Sequence, residues 1–371
     1  MSKIIEYVDR RRDIPFEESN FNEVDSLVLS QLAYLNFNII NTYNIQVLSQ
    51  ITDGKMMEDM VKNTWNPSEN LKLLNKVCHS LRFGSIQIVN RVNILSEEQQ
   101  QQFSAVTFKL SKSLYYISFR GTDATIIGWK EDFNMSYQEI IPSQISATQY
   151  VEKMIELYPG KYILGGHSKG GNLATFAGAF SNLDVQNYIL AMYNHDGPGF
   201  HKSIVKSSEY QKVVNKIFKM VPEFSIVGIL LEEAQNFKVI KSDAIGFFQH
   251  DPFTWIVEDA EFVTKYSTSS ISRFAQNTML TWIKTADNST KKVCLDSMYS
   301  IATSTGAIKL KDMKKISPRN LKIISLSILN TDMHVKKQWI FITNLFLKIS
   351  ITESKHLVKK VLLQSFKSTI K

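Results

Sequence analysis

Residues 161–180 read KYILGGHSKGGNLATFAGAF, and they carry the strongest local pattern in the chain. A short apolar strand, Tyr162–Leu164, is followed by a glycine-dense turn and a helix of small residues, with Ser168 at the centre of a G-x-S-x-G pattern. Such a turn forces the serine into a strained backbone conformation, and side chains two residues away on either side would collide with the neighbouring strand and helix. The pattern predicts a nucleophile elbow with Ser168 as the nucleophile. The alternative is a phosphate-binding or merely structural glycine turn, but the sequence lacks the lysine and Ser/Thr ending of a P-loop.

Two backbone amides are candidates for an oxyanion hole. The helix that follows Ser168 directs its N-terminal amides toward the place where negative charge develops during acyl transfer, and this predicts the amide of Lys169 as one donor. The second donor must come from a loop after an early strand. The segment Phe119-Arg120-Gly121-Thr122-Asp123 is such a loop, and we expect Thr122 to offer its amide and its hydroxyl. Taken alone, Arg-Gly-Thr-Asp is typical of an ordinary turn.

Strand-like and helical segments alternate from Phe83 onward. Segments rich in β-branched and aromatic residues predict strands, with a hairpin turn at 111–113 and an amphipathic helix over 144–158. The predicted strands are 85–95, 103–110, 114–121, 162–164, 186–193, 216–221 and 237–241. Polar clusters follow the later strands, as expected where functional side chains emerge at the carboxyl ends of a parallel sheet. The chain is therefore predicted to be an α/β protein.

His250 is the expected general base, because it follows the last predicted strand and can there take the proton of Ser168. The expected acid is Asp196, which a rigid Asp-Gly-Pro-Gly turn would hold against the imidazole. Glu223, after the next strand, stays open as the alternative acid. Asp251 adjoins His250 in sequence, which makes the required geometry awkward. The order serine, acid, histidine is that of the α/β-hydrolase triad.

Two sequence blocks resemble the signatures of the class 3 (fungal-type) lipases. They are Phe119–Thr122 with Trp129 and Asp132, and GHSKGGNLA at 166–174. A closer similarity, over roughly residues 1–260, is to a bacterial lipase-like family known only as a domain of unknown function. It rests on GGHSKGGNLA at 165–174, DGPGF at 196–200 and NEVDSLVLSQLAYL at 22–35. The resemblance implies an α/β-hydrolase fold with Ser168 as nucleophile, Thr122 in the oxyanion hole and His250 as base.

The sequence departs from the class 3 pattern at two places. An apolar residue usually follows the serine, whereas Lys169 follows it here and indicates either an acidic or phosphate-bearing substrate or a lysine that points to solvent. The usual Asp-x-Val-Pro stretch is replaced by Ser225-Ile226-Val227-Gly228. Loss of that aspartate leaves three possibilities: an acid moved to Asp196, a Ser–His dyad, or an inactive descendant.

Charge separates the end of the chain from the rest. From residue 301 onward, thirteen lysines and one arginine face three acidic residues, a balance of +11, which leaves about −3 for the first 300 residues of a chain with net charge +8. We expect a helical lead-in over 1–82, a hydrolase core over 83–265 and a basic helical region over 266–371. Within the lead-in, the apolar spacing of residues 19–50 predicts a leading helix that packs on the main domain. The basic region predicts peripheral contact with an anionic membrane, with a solvated lysine-rich face as the alternative. Nucleic acid is not expected, because no nucleic-acid-binding motif is present.

Five helices are predicted within the basic helical region: 272–286, 289–303, 318–330, 336–348 and 354–368. The last of them carries an apolar stripe formed by Leu357, Val358, Val361, Leu362 and Phe366. Such a stripe is typical of packing between helices and also of an interfacial helix.

The sequence therefore predicts a serine hydrolase that cleaves carboxylic esters of lipids or other apolar acyl groups through an acyl-enzyme. No organic cofactor and no metal is implied. A thioesterase or small-ester esterase is the alternative enzyme, and an inactive scaffold that binds a partner or an anionic membrane through its tail is the alternative from another class. The N-terminus lacks the apolar core of a secretory signal, so a cytoplasmic location is expected. The oligomeric state is left open.

Overall fold

The computed structural model describes residues 2–43, 45–123, 125–231, 237–308 and 318–369. The strands of this part of the chain are β1 Gln87–Ser96, β2 Gln101–Lys109, β3 Leu114–Phe119, β4 Lys161–His167, β5 Ile189–His195, β6 Ile217–Pro222, β7 Lys238–Ile240, β8 Val257–Glu258, β9 Glu261–Phe262 and β10 Thr264–Lys265. The helices before residue 160 are α1 Ile4–Arg10, α2 Glu23–Leu32, α3 Gly54–Val61, α4 Pro67–Cys78, α5 Leu81–Gly84, α6 Ile126–Asn134 and α7 Pro142–Leu157. The later helices are α8 Lys169–Phe180, α9 Leu183–Gln186, α10 Lys202–Lys206, α11 Ser208–Val213, α12 Ser270–Thr285, α13 Asn288–Thr303, α14 Pro318–Asn330 and α15 Met333–Thr369. Short 3₁₀ helices cover Phe37–Tyr43, Leu48–Gln50, Val214–Lys216, Gly246–His250 and Pro252–Thr254.

The central sheet has eight strands in the order β1-β2-β3-β4-β5-β6-β7-β10. The strands from β3 to β7 run parallel, while β1, β2 and β10 pair in antiparallel fashion at the two ends. Parallel pairing places the carboxyl ends of β3 to β7 at one edge, where an α/β protein assembles its functional residues. The predicted α/β architecture and the hairpin between β2 and β3 are confirmed.

Both faces of the sheet are covered. One apolar core joins the N-terminal helices to one face, and a second core joins α7, α8 and α11 to the other. A mostly parallel sheet with helices on both faces and a strand–serine–helix turn between β4 and α8 is the α/β-hydrolase fold. The division of the chain at residues 82 and 265 stays a prediction.

A buried ion pair holds the N-terminal helices together. Arg82 donates from Nη2 to Asp25 Oδ2 over 2.5 Å and from Nε to Oδ1 over 2.8 Å, and both side chains are inaccessible to solvent. Tyr7 donates to the same carboxylate over 2.8 Å. Because every charge in this cluster is hydrogen-bonded, the cost of burying it is offset. The helices before the sheet therefore form one packed unit.

The leading helix is shorter than its apolar spacing over 19–50 predicted. It begins after Asn22, whose side chain accepts hydrogen bonds from the amides of Val24 and Asp25, and it ends at Leu32. The chain then turns toward α3, and the amide of Asn36 donates to the carbonyl of Met60 over 2.9 Å. Apolar residues continue at helical spacing beyond this turn because α2 and the segment that follows it contribute to the same core.

The C-terminal helices follow the prediction except at the end, where the two expected helices are one continuous helix, α15. The side chains of the predicted apolar stripe at 357–366 are not among those that the structure describes. Several large apolar side chains on α14 and α15 are more than 40% exposed, namely Leu321, Leu326, Leu329, Ile340, Phe341, Leu347 and Ile351. Among the described residues, no helix is both long enough and apolar enough to cross a bilayer. Membrane contact stays a prediction.

This prediction can be tested by vesicle flotation of the full chain. We expect flotation with vesicles that contain about one third anionic phospholipid and none with neutral vesicles, because each lysine near an anionic surface contributes about 1 kcal/mol. Replacing the exposed Lys322, Lys337 and Lys348 by glutamine should weaken flotation, and high salt should weaken it further.

A matched control replaces three exposed lysines of the body, Lys55, Lys112 and Lys153, by glutamine. The control should float like the wild type. Equal loss of flotation in both triple variants, or binding that high salt leaves unchanged, would contradict an electrostatic role for the basic region.

Candidate active site

Ser168 lies at the sharp turn between β4 and α8, with φ 59° and ψ −133°. A non-glycine residue at positive φ stores about 1–3 kcal/mol of strain, which the surroundings must hold in place. The flanking glycines explain how the turn closes. A Cβ on Gly166 would lie 2.3 Å from the carbonyl carbon of Gly170, and one on Gly170 would lie 2.1 Å from the carbonyl oxygen of Phe119. The G-x-S-x-G spacing is therefore required by backbone contacts around the serine.

Ser168, His250 and Asp196 form a continuous hydrogen-bonded line. Ser168 Oγ lies 3.1 Å from His250 Nε2, and His250 Nδ1 lies 2.6 Å from Asp196 Oδ2. Asp196 is fully buried, whereas the His250 side chain keeps 20% of its surface accessible. Asp196 follows β5 and His250 ends the 3₁₀ helix Gly246–His250, so the three residues arrive from three separate segments. The structure brings these three predicted residues together; their catalytic roles stay predictions.

The carboxylate of Asp196 is held on its second oxygen as well. Ser225 donates its hydroxyl to Asp196 Oδ1 over 2.5 Å, and the amide of Gly228 donates to Ser225 Oγ over 3.0 Å. Ser225 stands where the class 3 pattern carries its aspartate, and here it supports an aspartate that comes from another strand. Asp196 itself adopts φ 54°. The carboxylate is thus fixed toward His250 by its own hydrogen bonds.

The side chains of the other candidate acids have different hydrogen-bond partners or none among the described residues. Asp251 Oδ1 accepts from the amide of Phe253 over 3.0 Å and caps the following 3₁₀ helix, while its Oδ2 accepts from Asn66. For Glu223, the backbone pairs with Ile240 and Ser269. Among the described residues, neither side chain forms a hydrogen bond with His250.

His167 has a structural function that the sequence did not indicate. Its Nε2 donates to the carbonyl of His250 over 2.8 Å, and its Nδ1 lies 3.1 Å from the hydroxyl of Tyr34. Burial, together with the nearby His250, holds the pKa of His167 well below its usual value, so the ring is neutral. His167 thereby fixes the backbone that carries the expected base. The sequence shows only that His167 lies inside the elbow. Its contact with the distant loop at His250 cannot be deduced from residue spacing.

His195 contributes its backbone to the elbow, because its carbonyl oxygen accepts a hydrogen bond from the amide of Ser168 over 2.9 Å, and its ring is buried. Its Nε2 lies 2.9 Å from Ser26 Oγ, and burial lowers the pKa of its ring to about 3. It is therefore neutral and part of the packing between β5 and α2.

The loop at Gly121 and Thr122 packs against the nucleophile. A Cβ on Gly121 would lie 3.1 Å from the Cβ of Ser168 and 2.6 Å from the carbonyl oxygen of His167. In the part of the chain that the structure describes, the amides of Thr122 and Lys169 donate no hydrogen bond. An oxyanion hole requires two backbone amides without an intramolecular partner, and here one follows the nucleophile directly while the other lies in the loop that packs against it.

The Thr122 hydroxyl is already engaged, so the prediction that it serves as an oxyanion donor is not met in this arrangement. Thr122 Oγ1 lies 2.6 Å from both carboxylate oxygens of Asp132. Burial raises the pKa of Asp132 to about 6, although Lys169 and the bond from Thr122 act in the opposite direction. Above that pH the ionised carboxylate holds the threonine side chain and leaves its amide for the oxyanion.

Both interpretations of Lys169 from the sequence are wrong. The side chain is only 1% exposed, so it reaches neither solvent nor a substrate. Its Nζ donates to Glu131 Oε2 over 2.7 Å and to the carbonyl of Gln102 over 2.9 Å, and it lies 3.8 Å from Asp132 Oδ1. The lysine after the nucleophile is therefore an internal cation that faces the oxyanion loop.

Glu131 completes this buried cluster. The carboxylate accepts from the amide of Gln102 over 3.0 Å, and from both the amide and the hydroxyl of Ser143 over 3.0 and 2.8 Å. With Lys169, four donors surround a side chain that is inaccessible to solvent. Such complete pairing is what makes a buried charge tolerable. The cluster joins the starts of β2, α7 and α8 to α6.

Comparison with known proteins gives one family and a group of structures. A family model described as Mbeg1-like matches residues 77–300. No curated protein matches the chain. A fungal lipase structure is 14% identical, with a TM-score of 0.40, over 70% of this chain and 90% of its own. The lipase of Rhizopus microsporus var. chinensis is 14% identical, with a TM-score of 0.38, over 67% and 77%. Lipase II of Rhizopus niveus is 15% identical, with a TM-score of 0.36, over 59% and 78%.

Exchange of the acid for an amide tests the line of hydrogen bonds. In Asp196→Asn, the amide oxygen can still accept from Ser225, which directs the NH₂ group at His250 Nδ1. The imidazole then carries its proton on Nε2, so Nε2 can no longer accept the proton of Ser168. We therefore expect kcat for ester hydrolysis to fall by about two to four orders of magnitude.

Glu223→Gln is the matched control, because it removes the same charge from the alternative acid. It should leave kcat within about twofold of the wild type, because the half-buried Glu223 side chain forms no described hydrogen bond with His250. Steady-state hydrolysis of an aryl ester measures both. The reverse pattern would show that Glu223, and not Asp196, is the acid.

Proposed function

The chain belongs to the Mbeg1-like family, and from its geometry we propose that it is a lipase-like serine hydrolase that cleaves carboxylic esters through an acyl-enzyme. The observation that carries the proposal is the line from Ser168 through His250 to the buried Asp196, with spacings of 3.1 and 2.6 Å, at the apex of a strained turn. These are the relations that nucleophile, base and orienting acid need.

Each group has a defined place in the reaction. His250 Nε2 accepts the proton of Ser168 as Oγ attacks the carbonyl carbon, and Asp196 stabilises the imidazolium that forms. The amides of Lys169 and Thr122 receive the charge that develops on the carbonyl oxygen. The imidazolium then protonates the leaving alcohol. In the second half a water molecule loses its proton to His250 and attacks the acyl group, and Ser168 is released.

An apolar substrate is supported by the surface beside the base. The side chains of Ile245, Phe247 and Phe248 are 86%, 48% and 72% exposed, and they lie immediately before His250. The ring of Phe247 stacks at 5.9 Å from the ring of His250. Exposed apolar side chains that adjoin a reactive centre are typical of a binding surface for apolar groups. A lipid or other apolar acyl ester is therefore the substrate that we favour over a small ester.

An activity-based probe separates an enzyme from an inactive scaffold. We expect a fluorophosphonate to label the wild type on Ser168, because a serine activated by a neighbouring imidazole attacks phosphorus as it attacks a carbonyl. Ser168→Ala should not be labelled. Fluorescence in a denaturing gel and mapping of the modified peptide measure both.

Ser113→Ala serves as the control, because Ser113 is an exposed serine in the β2–β3 turn. It should be labelled like the wild type. If the folded wild type resists the probe altogether, or if Ser168→Ala is labelled equally, the proposed hydrolase activity is wrong.

A further inference from the structure

A cavity of about 360 Å³ lies beside the expected oxyanion loop. Thr122 lines it, together with residues of β1, β2 and the segments 34–38 and 60–65. Tyr34 connects it to the nucleophile, because a Cβ on Gly121 would lie 2.1 Å from the Tyr34 hydroxyl and 3.1 Å from the Cβ of Ser168. A group bound there would therefore be close to an ester carbonyl at Ser168.

The wall of this cavity carries two guanidinium groups. Arg120 donates from Nη2 to Asn93 Oδ1 over 3.1 Å and to Asp123 Oδ2 over 3.2 Å, and its side chain is only 14% exposed. Its Nε is buried without a hydrogen-bond partner. Burial lowers the pKa of Arg120, and Asp123 only partly offsets this effect. Arg120 is therefore a cation whose hydrogen bonds are incompletely satisfied.

Arg91 is the second cation of the wall. It lies on β1, opposite Val106 of β2, and its side chain is partly exposed. Among the described residues it forms no salt bridge, whereas Arg120 has Asp123. Two arginines against one carboxylate leave a net positive wall. Asn36 and Asn93 add amide groups to the lining, and Phe37 and Val106 add apolar contact area.

We propose that this cavity binds an anionic group of the substrate, a carboxylate or a phosphate, which Arg91 and Arg120 hold. The inference rests on the proposed function, since it places that anion on an ester whose carbonyl is at Ser168. The substrate class is an acyl ester that carries a negative charge a few bonds from the scissile bond. A guanidinium matches the oxygens of such a group in geometry and in charge. The apolar surface beside His250 takes the uncharged part of the same molecule.

A pair of matched esters tests the proposal by turnover. The wild type should hydrolyse mono-p-nitrophenyl glutarate with a kcat/KM at least about tenfold above that of p-nitrophenyl valerate, because a hydrogen bond to a charged group contributes about 1.5–3 kcal/mol. Arg91→Gln should remove this preference by lowering kcat/KM for the glutarate ester to about that for the valerate ester. Lys112→Gln, a change in the exposed β2–β3 turn, should keep the preference. Equal wild-type rates for the two esters, or an equal loss of both rates in Arg91→Gln, would overturn the proposal.

A binding measurement separates this proposal from the proposed hydrolase activity. In calorimetry, folded Ser168→Ala protein should bind glutarate or inorganic phosphate, and Arg91→Gln in the same background should bind the preferred anion about tenfold more weakly. The anion that binds more tightly identifies the anionic group of the substrate as a carboxylate or a phosphate. If binding depends on Arg91 but the wild type hydrolyses neither ester, the anion site is supported and the hydrolase activity is rejected. Absence of binding for both anions would overturn the anion site, whatever the turnover.

Discussion

The buried ion pair between Lys169 and Glu131 is the contact on which the rest of the site depends. Removing two charges from water costs several kcal/mol for each ion, and the cost is recovered only where the pair and its remaining hydrogen bonds are complete. Here Glu131 also accepts from the amide of Gln102 and from Ser143. Because Lys169 follows the nucleophile and Glu131 precedes Asp132, the pair joins the elbow to the helix that holds Thr122. The two amides of the expected oxyanion hole are positioned by one electrostatic contact.

The C-terminal helical region supports both sides of this arrangement. Ser272 of α12 donates its hydroxyl to the carbonyl of Ser225 over 2.5 Å, and Ser225 in turn donates to Asp196. On the other side, Asp296 of α13 lies 2.8 Å from the ammonium group of Lys130, which is 2% exposed and immediately precedes Glu131. The region that the sequence indicated only as a basic extension thus contacts the turn that holds the acid and the helix that holds the oxyanion loop.

Much of the fold and of the site follows from local patterns. The strand, glycine turn and helix around Ser168 are fixed by steric rules of short range, and the alternation of strands and helices predicted the sheet. The placement of Asp196 against His250 was a choice among several carboxylates, because a contact between residues 54 positions apart depends on packing that no spacing reveals. The same limit explains why Lys169 was assigned to solvent or substrate: its partner is 38 positions away, and burial of a lysine is rare unless it is paired. The extent of α2 was wrong because apolar spacing does not show where a chain turns within one core.

A double-mutant cycle on Lys169 and Glu131, with both the unfolding free energy and kcat measured, tests whether this ion pair positions the oxyanion amides. Lys169→Met should lower the free energy of unfolding by about 3–5 kcal/mol, since it leaves a buried carboxylate without its cation. Adding Glu131→Gln should recover at least about 1 kcal/mol of that loss, whereas kcat should stay at least about tenfold below the wild type, because the oxyanion loop is no longer tied to the elbow. Additive losses of stability, or a Lys169→Met variant with wild-type stability and kcat, would show that the site does not depend on this ion pair.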